Sequence, residues 1–290
     1  MHAFSYPFMW WALAASLVLA GIHAYLGFHV VKRGVIFVDL AMAQIAAMGV
    51  AIAIVLNLHE HPLANYLFPV ATTLIGAIIF AWLRQLEHRV PLEAFIGITF
   101  ATAQAVVLLL LEHSPSGTEH LKETLMGSIF TVAPDLVIKT AVIYSLIGLL
   151  HVLVRKPLME ITNSPESAHA AGRNLFVWDV LFYATFGVVV TSSVRIAGVL
   201  LVFAFLVIPA VEGMLVSDRT SVRLTVGWSF GFLCSFTGLT VAFNLNTPAA
   251  PTILVLLTLS LLVHGTLVTI IGKIRSHGKA EGASSRTGIE

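Results

Sequence analysis

Runs of about 20 apolar residues recur along the whole chain, and no other feature restricts its fold as much. A helix of that length crosses the roughly 30 Å hydrocarbon core of a bilayer. Nine such runs are present, at residues 8–28, 35–56, 66–83, 92–111, 136–154, 177–193, 196–216, 224–243 and 251–272. In hydrocarbon the backbone must satisfy its own hydrogen bonds, which leaves helices or closed barrels. Barrel strands alternate apolar and polar residues, and these runs do not. The expected fold is all-α, a polytopic transmembrane helical bundle of about nine spans. Only 11% of the 290 residues are charged, against about 25% in soluble domains. So few ionic side chains cannot clad a water-facing surface, which excludes an ordinary soluble enzyme. The single cysteine, Cys234, lies in an apolar run and cannot form an internal disulfide. A net charge of +1 gives no case for a nucleic-acid partner.

Basic residues orient such a bundle, because they are retained on the cytoplasmic side. With the N-terminus outside and nine spans, the inner loops and tail carry Lys32, Arg33, Arg84, Arg89, Arg155, Lys156, Arg173, Arg219, Arg223, Lys273, Arg275, Lys279 and Arg286. Of all sixteen basic residues, only Lys122 and Arg195 fall outside and Lys139 within a span. The C-terminus is then inside. No lysine or arginine precedes the first run, so it does not read as a signal peptide. Residues 1–275 form the expected membrane domain, and the Gly- and Ser-rich residues 276–290 an expected disordered cytoplasmic tail. The fourth outer connection is acidic, with Glu112, Glu119 and Glu123, and its apolar stretch 125–132 (LMGSIFTV) reads as a re-entrant or interfacial helix. With no soluble domain in the chain, its energy source and any capture domain are expected on other subunits.

The longest inner connection, 155–176, contains a short helix signal. Ser164 stands as N-cap, Pro165 in the first helical position, Glu166 facing the positive helix end, and Gly172 as the stop. An exposed two-turn helix suits a docking element for a cytoplasmic ATPase, since a rigid segment transmits a push better than a floppy loop. An ordinary loop helix is the other reading.

The same region carries a family resemblance. The segment SPESAHAAGRNLFVWDVLFYATFGVVVTSSVRIAGVLLVFAFLVIPA resembles the integral-membrane permeases of the zinc/manganese/iron ABC importer family. Glu166, Ala168, Ala171 and Gly172 match its acid-Ala-Ala-Gly segment, and Gly198–Val202 with Pro209-Ala210 its "GVLLV…PA" stretch. Val38-Asp39 with Gly49, and Gly127-Ser128-Ile129 with Pro134-Asp135-Leu136, match two further motifs in the same order. The resemblance implies a permease working by alternating access in a bacterial-type inner (plasma) membrane. Its implied partners are a second permease copy or paralogue, a cytoplasmic ABC ATPase that binds ATP, and an extracytoplasmic metal-binding protein. The implied cargo is a divalent zinc, manganese or iron ion, with no permanently bound cofactor. No Walker A signature is present, since Gly272-Lys273 and Gly278-Lys279 continue with Ile and Ala.

Ionisable residues at membrane depth are costly and so mark candidate sites. Asp39 and Met42, three apart, share a helix face, offering a carboxylate and a thioether. The family pattern has a histidine four residues after the aspartate, where this chain has Ala43, and that leaves the metal open. A structural partnership of Asp39 with Lys32 or Arg33 is the competing reading. Glu212, three residues after Pro209, is a second candidate, unless it snorkels to water beside Arg219. His59 and His61 on the outer side place two imidazoles in one turn. Asp135 and Lys139 read as an intrahelical pair, and Asp179 beside Trp178 as an interfacial anchor. The alternative function is a proton-coupled secondary transporter using Asp39 and Glu212, but the repeated halves of such folds are not evident. An intramembrane protease is disfavoured because His59-Glu60 continues His61-Pro62-Leu63 rather than to a zinc motif.

Overall fold

The computed structural model describes residues 2–58, 61–112, 127 and 129–284. Apart from short 3₁₀ turns, the regular elements among them are α1 (Pro7–Arg33), α2 (Val38–Val55), α3 (Pro62–Leu83), α4 (Leu92–Leu111), α5 (Pro134–Leu153), α6 (Arg155–Asn163), α7 (Pro165–Ala170), α8 (Leu175–Val216), α9 (Thr220–Leu245) and α10 (Ala249–Ser284). Helix starts follow the prolines: Pro7, Pro62, Pro134 and Pro165 each occupy the first turn, where a missing N–H costs nothing. Of the expected 125–132 helix, the described residues show only a 3₁₀ turn, Ile129–Thr131; the rest of that stretch, apart from Gly127 and Val132, lies outside them.

Eight helices are long and apolar enough to cross a membrane among the described residues, rather than the nine expected. The sixth and seventh runs are arms of one helix, the 42-residue α8. Between them stands a single charge, Arg195, which is exposed and does not end the helix. The division falls later, at Gly198, with φ 75° and ψ 161°, a region of backbone space that is essentially reserved for glycine. A straight α8 would be about 63 Å long, roughly twice the hydrocarbon thickness. It is not straight. Asp179 lies 2.8 Å from Arg33 at the end of α1, while a side-chain carbon placed on Gly27 of α1 would collide with the carbonyl of Leu206. On a straight helix Asp179 and Leu206 would stand about 40 Å apart, yet both meet the last two turns of α1. The chain therefore folds back at Gly198.

This folded-back helix is the axis of the bundle. α1, α2, α3, α5, α9 and α10 all pack against it, and its Phe182, Tyr183, Phe186 and Phe205 are among the largest fully buried side chains. Glycines set the closest approaches: Gly227 of α9 lies against the carbonyl of Pro209, and Gly49 of α2 against Phe68 and Pro69 of α3. Burial ranks the helices, from 67% of the core window of α1 to 22% for α4 and 11% for α10. The first is central, and the last two stand at the rim.

Candidate translocation path and coupling surface

Asp39 sits in the first turn of α2, a helix enclosed by α3, α4 and α8. Its side chain is fully buried, and neither carboxylate oxygen has a hydrogen-bond partner among the described residues. The competing partnership with Arg33 does not form, because Arg33 is committed elsewhere. A charged aspartate costs about 2.5–3.5 kcal/mol at the centre of a membrane helix and less in a first turn, where the helix N-terminus favours an acid; no side chain among the described residues bonds this one. Met42 is also buried; its sulfur stands 3.6 Å from where a side-chain carbon on Gly76 would lie, so the thioether faces α3.

The other candidate ligands lie apart. Glu212, on the second arm of α8, approaches His264 Nδ1 of α10 at 2.6 Å through one oxygen, not Arg219; its second oxygen is unpartnered. His61 is exposed at the start of α3, and His59 lies outside the described residues. No three His, Cys, Asp or Glu side chains gather into one group among the described residues. Asp39, Glu212 and His61 thus do not build one metal centre within a single chain. Of the membrane histidines, His29 bonds Thr162 and His151 bonds Thr185, both at 2.8 Å, whereas His23 turns back to Leu19 O in its own helix.

The strongest electrostatic feature is one that the sequence reading placed at the interface. Asp179 is 1% exposed and receives Arg33 Nη1 at 2.8 Å and Arg84 Nη1 at 2.5 Å. Arg33 also donates from Nε to Thr162 Oγ1 at 3.1 Å and lies 4.2 Å above the Phe182 ring. The triad ties the basic ends of α1 and α3 to the start of α8. Its burial, rather than an anchoring role, follows from α8 being the bundle axis.

The short helix α7 lies directly beside this triad. Ser164 occupies the N-cap position without a side-chain capping bond, its carbonyl instead receiving Ala168 N at 3.0 Å. The end is a reverse turn through Gly172 at φ 78°, with Gly172 N to His169 O at 2.9 Å and Arg173 N to Ala168 O at 3.0 Å. Ala168 is buried, while Glu166, Ala171 and Gly172 are exposed. A cavity of about 570 Å³ separates α7 from the ends of α1, α3 and α8, and Arg33, Arg84, Asp179, Pro165, Glu166 and His169 line it.

The family model described as the ABC 3 transport family matches residues 5–268. The chain belongs to this family. It is the membrane permease subunit of an ABC transporter, a multi-pass membrane protein that is not itself the ATPase. It is similar to the chelated iron transport system membrane protein YfeC of Yersinia pestis, 24% identical over 93% of this chain and 92% of that protein. It is likewise similar to the manganese transport system membrane protein MntC of Listeria monocytogenes, 25% identical over 84% of this chain and 86% of that protein. Among solved structures, PsaBC from Streptococcus pneumoniae in complex with Fab matches with a TM-score of 0.76 at 22% identity, covering 90% of this chain and 92% of that chain. That likeness is one of fold.

Interior polar contacts also join the helices. Tyr144 of α5 brings its hydroxyl within 3.0 Å of Val189 O and Ser192 Oγ on α8 and also contacts Ser193. The sequence reading missed this junction; the consecutive hydroxyls Thr191, Ser192 and Ser193 inside an apolar run are the signal that could have found it, since hydroxyls at membrane depth seek interhelical partners.

Proposed function

We propose that this permease imports a divalent transition metal ion by alternating access, with Asp39 lining the path. The single observation carrying this reading is a wholly buried carboxylate with both oxygens unpartnered, a group with little structural reason to exist unless a cation visits it. An oxygen donor with Ala43 in place of the family's histidine favours manganese or iron(II) over zinc, in keeping with the manganese and iron systems named for the relatives. Met42 and Glu212 are secondary contacts on the same journey. His59 and His61 are proposed to meet the ion at the outer mouth.

The proposed assembly pairs two permeases, the same or paralogous, with a cytoplasmic ABC ATPase carrying the ATP and an extracytoplasmic metal-binding protein. The ATPase docks on residues 164–172, with Ser164, Pro165, Glu166, Ala171 and Gly172 at the contact and Ala168 holding the helix to the body. The N-terminus is outside and the C-terminus inside a bacterial-type inner membrane, the two arms of α8 each taking one pass. The proposed ion is shared between Asp39 and its counterpart in the second permease. No resident cofactor is needed.

Asp39→Asn tests the path. It keeps size and removes charge, so the variant folds, binds its ATPase, and loses at least tenfold in metal uptake by reconstituted vesicles. Uptake within about twofold of the parent, under 0.5 kcal/mol of barrier, would reject the role.

A further inference from the structure

One lateral cleft has no part in the path or the coupling surface. It has a volume of about 430 Å³ and lies between α1, α5 and α9, lined by Leu17, Gly21, Tyr25, Gly148, Val152 and Trp228 among others. Two glycines leave it open: a side-chain carbon at Gly21 or Gly148 would meet nothing within 4 Å. Trp228 Nε1 donates to Gly21 O at 2.9 Å, which fixes the indole at the cleft wall. All the walls belong to helices long and apolar enough to cross a membrane, and the lining is mainly apolar.

The chain is basic just beyond the residues that line one end of the cleft. Arg155 and Lys156 open α6, three and four residues after the lining residue Val152 of α5, and Arg219 precedes α9, five residues before the lining residue Leu224. These three side chains are exposed, and none forms an ion pair among the described residues. The acids nearest in sequence are already engaged, Glu160 with Arg173 and Asp218 with Arg223. An apolar slot in the hydrocarbon layer that ends in unpaired cations at the headgroup level complements one class of molecule. We propose that the cleft holds an anionic phospholipid, with an acyl chain against Gly21, Gly148 and Trp228 and the phosphate headgroup on Arg155, Lys156 and Arg219. Basic residues between membrane helices are suited to anionic headgroups, each contributing roughly fivefold to affinity near the surface. The lipid would hold α5 against α1 and α9. The inference goes beyond the transport reading and does not depend on the metal carried.

The test uses the full-length chain, purified, delipidated, and titrated with phosphatidylglycerol or phosphatidylcholine, with bound lipid counted by native mass spectrometry. The expected result is one tightly held phosphatidylglycerol per chain, bound at least tenfold more strongly than phosphatidylcholine. Gly148→Leu fills the slot and should abolish that retained lipid. Arg155→Gln with Lys156→Gln, both on the surface, should keep lipid binding but reduce the preference about tenfold or more. Equal binding of the two lipids by the parent, or a preference untouched by the double substitution, overturns the proposal. So does a Gly148→Leu chain that retains its lipid, or one that changes oligomeric state with no change in lipid count, which would assign the cleft to a second copy of the chain.

Discussion

Asp179→Asn is the sharpest probe of what holds the basic end of this bundle together. The substitution leaves an oxygen for Arg33 and Arg84 to approach but removes the only negative charge between them. Arg84 has a fallback, since Glu87 stands 3.6 Å from its Nε and is partly exposed. Arg33 has none: its side chain is 1% exposed, its Nη2 already lacks a partner, and its remaining contacts are the Thr162 hydroxyl and the Phe182 ring. Breaking a buried pair and stranding one charge costs about 3–5 kcal/mol. With the amide oxygen retained and Arg84 rescued, the lower end, about 3 kcal/mol, is expected. Unfolding in mixed micelles, titrated with sodium dodecyl sulfate, measures it. The double substitution Asp179→Asn with Arg33→Met removes the stranded charge and should recover part of the loss, giving a clear coupling energy. A single-variant loss below about 1 kcal/mol, or additive effects in the double variant, would refute the claim that Asp179 neutralises a buried cation pair.

Gly198→Ala forces a side chain into backbone space that only glycine uses freely and should destabilise the permease by about 1–3 kcal/mol, read in the same micelle titration; an unchanged midpoint would deny the fold-back of α8. Ala171→Glu, on the exposed end of the α7 turn, should uncouple ATP hydrolysis from uptake with folding intact, whereas full-rate transport would remove α7 from the ATPase contact. Ala168→Glu at the buried position of the same helix should instead lower stability. For topology, a membrane-impermeant maleimide added outside cells should label Asn57→Cys and not Arg89→Cys, with the buried Cys234 silent; reversed labelling would invert the orientation.

Much of the bundle was legible because the membrane imposes a local rule. Each crossing must close its own hydrogen bonds, so α4 matches its expected run of residues 92–111 at both ends. Local pairs followed as well: Lys139 meets Asp135 at 3.0 Å one turn away, because that contact depends only on helical spacing. The exception was α8. Hydropathy registers two apolar runs, but whether the chain stops, bends or reverses between them depends on a glycine's dihedral angles, and that glycine is pinned by what packs on it: Gly127 lies against the backbone of Ala197 and Gly198.

The sequence by itself determined that this is an all-helical membrane permease of the ABC 3 transport family and where most crossings lie, since apolar length and ordered motifs need no knowledge of neighbours. It also singled out Asp39 as a costly acid, because depth in an apolar run is a local property. Which acids are satisfied was decided only by the tertiary structure. Asp39 and Asp179 both stand in the opening turns of apolar helices, yet one is left unpartnered and the other is gripped by two arginines from α1 and the end of α3. That difference arises from residues 146 and 95 positions away in the chain. Electrostatic partnership is a property of distance in space, and only the packing of α8 against α1 and α3 sets those distances.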